Sequence, residues 1–181
     1  MDAIGSCMGL YRLVKTLGKD AYIVNNTLGI GIEGFVDKLK QLPEYENIII
    51  KTDEALDLIT DKTLLIVTDT SRENYVDSPE VLEKVERIVI IDHHRRSTDF
   101  INRALLTFQE VYASSTCELV SEIRNAFSQI FYSNASKLEF DNYNKTFILC
   151  ELFEKIYKKV LLYKILFVSL LSKIIAQNLN I

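Results

Sequence analysis

Asp92-His93-His94-Arg95-Arg96 puts a carboxylate, two imidazoles and two guanidinium groups into five consecutive positions, and these are the only two histidines of the 181 residues. The stretch follows Arg87-Ile88-Val89-Ile90-Ile91, an apolar run that reads as a buried parallel strand. Ligands of open α/β sheets bind at the carboxyl edge of the strands, where this polar stretch would lie. Adjacent histidines in extended chain point to opposite sides, so one can hold a metal while the other meets a substrate. Taken alone, such a pair is more often a polar surface loop. Asp69, which ends the run Leu64-Leu65-Ile66-Val67, and Asp2, which opens the chain, add two carboxylates. Asp2, Asp69 and His93 thus fall at presumed strand ends. Hard carboxylate oxygens with one imidazole suit manganese, magnesium or iron and not a structural zinc. Two such ions about 3.5–4 Å apart could share a bridging water, lower its pKa and aim it at phosphorus.

The elements that must position these groups alternate. Ile4, Met8, Leu10, Leu13, Val14 and Leu17 recur at helical spacing, and Gly18 stops that helix. Ala21–Val24 reads as a strand, 29–42 as a helix ended by Pro43, Ile48–Ile50 as a strand, and Thr52 to Ile59 as a helix. After the strand 64–67, Ser78-Pro79 sets an N-cap and a proline at the first helical position of a short helix to Lys84. Strands at 87–91 and 105–111 follow. Ala113-Ser114-Ser115-Thr116 caps a helix to about Ile123, with Glu118 three residues after Ser115 as in a capping box. Strands alternating with helices give an α/β class: a largely parallel sheet flanked by helices.

Composition narrows the functions. With 48% hydrophobic and 25% charged residues the chain can build one domain with a core. A net charge of −4 implies no general polyanion-binding surface, so no DNA binding is expected and phosphate recognition must be local. Cys7, Cys117 and Cys150 are odd in number and widely spaced, as in reduced thiols of a cytosolic protein. The acidic start carries no basic signal-peptide region. Residues 124–181 differ from the rest: every glycine lies in the first 34 residues and both prolines before the midpoint. The stripe Leu149, Leu152, Phe153, Ile156, Val160, Tyr163, Phe167, Leu170, Leu171 and Ile174 predicts an α-helical tail. Lysines interrupt it too often for a membrane span. Packing on the domain, an interfacial membrane helix and an out-of-frame reading of an A/T-rich gene all remain open for it.

Four motifs in order, Asp2-Ala3-Ile4-Gly5-Ser6, Val67-Thr68-Asp69-Thr70, Asp92-His93-His94-Arg95-Arg96 and Tyr112-Ala113-Ser114-Ser115-Thr116, resemble the DHH phosphoesterase superfamily. They are most similar to its bacterial cyclic-di-AMP phosphodiesterases of the GdpP type. The resemblance covers residues 1 to about 123, a partial DHH domain, and leaves 124–181 as a diverged tail. It implies a two-manganese hydrolase that opens cyclic di-AMP to pApA. By the same resemblance Asp2 is the last acid of a His-x-x-x-Asp-x-Asp motif, Asp69 bridges both Mn2+ ions and His93 is a metal ligand. His94 then faces the scissile phosphate, Asp92 orients an imidazole, and Arg95 neutralises charge on the phosphoryl oxygens. Ser114 and Ser115, at a helix N-terminus, offer donors to a phosphate or serve simply as caps.

Departures from the family pattern set further expectations. The His and first Asp of the first motif, and the strand carrying them, fall upstream of Met1. Asp141 is a poor match for the fourth-motif Asp, and the glycine-rich second domain has no counterpart. The family's intact members are membrane-anchored and dimeric with a cytoplasmic catalytic domain, features these residues do not supply. The chain is therefore expected to be an inactive fragment. A DHH-type oligoribonuclease or adenosine-bisphosphate phosphatase relative, and a non-catalytic remnant of a broken gene, are the alternatives.

Overall fold

The computed structural model describes residues 1–135 apart from 28 and 30, and side chains as far as Phe127. The expected helical tail from residue 136 onward, and Asp141 with it, lie outside the described residues. Met1–Val120 form one compact unit. In chain order it holds α1 (Asp2–Thr16), β1 (Ile23–Val24), α2 (Glu33–Lys40), β2 (Ile49–Ile50), α3 (Thr52–Leu58), β3 (Leu64–Thr68), α4 (Pro79–Lys84), β4 (Arg87–Asp92), β5 (Leu106–Gln109) and the start of α5 (Thr116–Ala135).

Every strand pairing described is parallel. β1 pairs with β2, and β4 lies between β3 and β5. Ile88, Val89, Ile90, Ile91 and Asp92 are each 0% exposed, which is why β4 reads as an unbroken apolar run and not an alternating one. Below the sheet Val67, Leu82, Ile88, Ile90 and Ile101 form one cluster. Ile4 and Met8 of α1 join Ile23, Tyr45 and Ile48 in a second. The α/β class and the parallel pairing agree with the sequence.

Most boundaries shift by a residue or two, with β1 confined to 23–24 and β5 to 106–109 in place of 105–111, and three differences have a clear local reason. α2 starts at Glu33, not 29, because Gly31 has φ 95, a left-handed conformation that a right-handed helix excludes. Asp2 is not at a strand end: it is the first residue of α1, held there because the helix begins at once. α5 continues past the expected end near Ile123 to Ala135, since no glycine or proline interrupts it. Among the described residues, no helix is long and apolar enough to cross a membrane.

Two glycines bring α1 against the first turn of α5. A Cβ added to Gly5 would sit 2.7 Å from the Cys117 sulfur, and one added to Gly9 would sit 2.7 Å from Cγ1 of Val120. Spaced by four, these glycines share one face of α1. Their lack of side chains lets Asp2 reach the α5 N-terminus.

Candidate active site

β3 and β4 end side by side, with Thr68 in register with Ile91. At the end of β3 the chain turns sharply: Asp69 has φ 64 while its N–H still donates to the Ile91 carbonyl at 3.0 Å. Aspartate tolerates that left-handed conformation better than most residues. The turn sets its carboxylate over the neighbouring strand end, where β4 gives way to Asp92, His93 and His94.

One donor atom from each of Asp69, His93 and His94 lies within 4.8 Å of the others. His93 Nε2 is 3.6 Å from Asp69 Oδ1 and 3.6 Å from Asp2 Oδ2. Both distances are too long for hydrogen bonds. His93 Nδ1 faces the Ala113 carbonyl at 3.4 Å, and a carbonyl only accepts, so the proton belongs on Nδ1 and the lone pair of Nε2 faces two carboxylates. His94, expected opposite a phosphate, joins this cluster. Its ring centroid is 4.3 Å from that of His93.

Asp92, which is fully buried, accepts from the His94 backbone N–H at 3.1 Å and from Nδ1–H at 2.8 Å, so the imidazole it orients is His94. Gln109 Nε2 donates to the other oxygen of Asp92 at 3.3 Å, to the His94 carbonyl at 2.7 Å and to Ser71 Oγ at 3.3 Å. Arg95 is exposed beyond His94. Arg96 lies over the Phe100 ring, 3.6 Å from its centroid.

Asp2 has a second task. Its two oxygens accept from the backbone N–H groups of Thr116 and Cys117, each at 2.8 Å, and so satisfy amides at the start of α5 that have no partner within the helix. Thr116, fully buried, also donates its hydroxyl to Asp69 Oδ1 at 3.0 Å. Partial burial pushes the Asp2 carboxyl up, but the Cys117 thiol and the Cys117 and Thr116 amides outweigh it and hold Asp2 below the usual carboxylate range. Asp69 goes the other way. Burial raises it, the Thr116 hydroxyl lowers it, and the charge of Asp2 raises it again, leaving it above the usual range. Two carboxylates beside one imidazole lone pair, with no Lys or Arg pairing to either carboxylate among the described residues, suit a cation.

Both serines are engaged at the α5 N-terminus, Ser115 as a cap and Ser114 as a donor to Glu118. Ser115 Oγ accepts from the Glu118 N–H at 3.1 Å. The Glu118 carboxylate reaches one residue further back than a capping box would, accepting from Ser114 N–H at 2.7 Å and its hydroxyl at 2.8 Å.

Residues 1–147 match the DHH family, N-terminal domain. The chain belongs to the DHH family. Over 125 residues, 68% of its length, it is 38% identical to the cyclic-di-AMP phosphodiesterase GdpP of Bacillus subtilis, and 34% identical to the cyclic-di-AMP phosphodiesterase PdeA of Listeria monocytogenes. In both cases the chain spans about a fifth of the relative, 19% of its length. The fold is shared with an exopolyphosphatase-related protein from Bacteroides fragilis: TM-score 0.53 and 21% identity, covering 90% of this chain and 52% of that one. This membership explains why Asp2, Asp69, His93 and His94 were legible as motifs. Thr116 and Gln109 were not singled out for chemistry. Thr116 stands in a cap and in the fourth motif without a role of its own, and nothing in the local sequence marks Gln109, whose partners lie 15 to 38 residues away.

Proposed function

We propose that this DHH domain serves a manganese-dependent phosphodiesterase that hydrolyses cyclic di-AMP to pApA. The observation that carries the reading is the convergence of Asp69, His93 and His94, with Asp2 beside them, at one carboxyl edge. The kinship with two cyclic-di-AMP phosphodiesterases supports the substrate. Asp69, His93 and Asp2 would hold Mn2+, with His94 within the same cluster. A metal held there would supply Lewis acidity, lowering the pKa of water toward neutrality and polarising a phosphoryl oxygen.

The chain's own residues supply the rest. Asp92 fixes the His94 ring by its Nδ1–H and leaves a lone pair on Nε2, suited to accept a proton at the phosphate. Arg95, exposed next to His94, offers a cation to the phosphoryl oxygens. Thr116 holds both Asp2 and Asp69 against mutual repulsion through its amide and its hydroxyl.

Residues 1–181 by themselves are expected to be inactive. Two divalent ions held about 3.5–4 Å apart need more ligands than the four side chains gathered among the described residues. Purified residues 1–181, with manganese in excess, should open cyclic di-AMP no faster than a His93→Ala control. A clear manganese-dependent rate above that control would overturn the expected inactivity. The substrate is tested in a chimera in which this DHH segment replaces that of the Bacillus subtilis relative. Formation of pApA supports the reading, whereas cleavage of short oligoribonucleotides without cyclic di-AMP hydrolysis overturns it.

A further inference from the structure

The parallel register sets Gln109, the last residue of β5, beside Asp92, the last of β4. Asp92 is 0% exposed, so each of its oxygens needs a donor. One oxygen has two, the His94 backbone N–H and the ring Nδ1–H. The other faces Gln109 Nε2. The same amide nitrogen also donates to the His94 carbonyl at 2.7 Å, so Gln109 grips both the backbone of His94 and the carboxylate that holds its ring. The amide cannot be turned over. Its oxygen would then face a carboxylate and a carbonyl, neither of which can donate.

We propose that Gln109 is a positioning residue: by clamping Asp92 and the His94 carbonyl it locks His94 as the Nδ1–H tautomer, with the lone pair on Nε2. The proposal deepens the function given above and rests on it for its catalytic meaning. The lock itself is a property of the metal-free chain. Without the Gln109 donor one oxygen of a buried carboxylate loses its partner. The carboxylate can then rotate away from His94, and the ring is no longer committed to one tautomer. Imidazoles that serve a metal or a phosphate depend on such support for both orientation and basicity.

The test reads the tautomer directly. Imidazole nitrogen shifts of the 15N-labelled chain are recorded at about pH 8, above the ordinary imidazole range near 6.5. With only two histidines present, His94→Gln identifies the signals of His94 by their loss. In the native chain His94 should be an almost pure Nδ1–H tautomer. Gln109→Met, which keeps length and removes both N–H donors, should give a mixture of tautomers. Gln109→Glu, which keeps the shape and sets a carboxylate against Asp92, should move His94 further still. Manganese affinity, measured by calorimetry, should fall about 10-fold in Gln109→Met.

A native His94 protonated on Nε2 would overturn the proposal without any Gln109 variant, so a variant that fails to fold does not shelter it. A pure Nδ1–H tautomer in a folded Gln109→Met would overturn it as well. If the native chain shows the lock but the chimera forms no pApA with manganese supplied, the metal-dependent function fails while the role of Gln109 at His94 stands.

Discussion

The two strand pairs end in the same device with different chemistry. At the β1–β2 end, Asn26 from beyond β1 caps α3: its Oδ1 accepts from the Thr52 N–H at 3.1 Å. At the β3–β4 end, Asp2 from α1 caps α5 through Thr116 and Cys117. In each case a side chain from one element satisfies the open amides of another helix, which ties the elements together. Around Asn26 every contact is spent on structure. Its amide donates to Thr52 Oγ1 and to the Asp77 carbonyl, its N–H donates to Asp77 Oδ2, Thr52 Oγ1 meets Ser78 Oγ at 2.6 Å, and Lys51 donates to the Asn26 carbonyl. Around Asp2 the account does not close. A second carboxylate and an imidazole stand 3.6 Å away from partners they do not hydrogen-bond. A polar cluster at a carboxyl edge is therefore a candidate site only where charge is left uncompensated.

The strands under the two ends differ as well, and the largest expected effect tests that. Ile90 in β4 is wholly buried between two neighbouring strands, whereas Ile49 in β2 is only partly buried in a two-residue pairing. Ile90→Ala should cost about 2–5 kcal/mol, the range for a large-to-small change in a packed core. Ile49→Ala should cost about 1 kcal/mol, because less area leaves water there. Urea unfolding of both variants checks the ordering. Equal losses would mean that the short pair is as much a part of the core as β4.

The next comparison separates chemistry from structure. Asp69→Ala should weaken manganese binding more than 100-fold, about 2.7 kcal/mol, since a direct ligand is worth more than the supporting groups whose loss costs about 10–100-fold. Asn26→Ala should leave that affinity unchanged while costing about 1–3 kcal/mol of stability through stranded hydrogen-bond partners. Calorimetric titration and urea unfolding on the same preparations give both numbers. Loss of manganese binding in Asn26→Ala would couple the two ends and dissolve the distinction.

The sequence revealed much of this because the strong signals are local. The apolar run 88–91, the Pro79 start and the Asp-His-His stretch each carry their meaning within a few residues. The β4 end was legible for a further reason: a strand buried on both faces cannot alternate, so its first charged residue marks the edge. What escaped was set by neighbours distant in sequence. Asp2 was expected at a strand end, but a helix starting at Asp2 and the bare face of Gly5 and Gly9 put it on the α5 amides instead. The way Asp92 and Gln109 fix the His94 ring escaped likewise, because Gln109 lies 15 residues further along the chain. Of the fourth-motif serines, Ser115 caps α5, a use its sequence allowed alongside phosphate binding, while Ser114 donates to Glu118.

The smallest effect sets the two carboxylates of the site against each other. Asp2 lies below the ordinary carboxylate range in the folded chain, so its ionised form favours folding. That contribution is complete above the unfolded value of about 3.9 and disappears as the pH falls through the lower folded value. Asp69 lies above the ordinary range, so between about 3.9 and its raised folded value the folded chain takes up a proton that the unfolded chain does not. Above the raised value its charge works against folding. Removing each charge should consequently have opposite signs at neutral pH in metal-free protein. Asp2→Asn should lower stability by about 1 kcal/mol, the worth of a helix cap. Asp69→Asn should raise the thermal midpoint slightly, because asparagine also accepts the left-handed backbone at this position and brings no charge. Manganese should invert the second result, stabilising the native chain and not Asp69→Asn. Thermal unfolding at neutral pH, with chelator and then with excess manganese, decides it. A lower midpoint for Asp69→Asn in chelator would show that the Asp69 carboxylate serves the fold, as Asn26 does at the other end, and is not held in reserve for a cation.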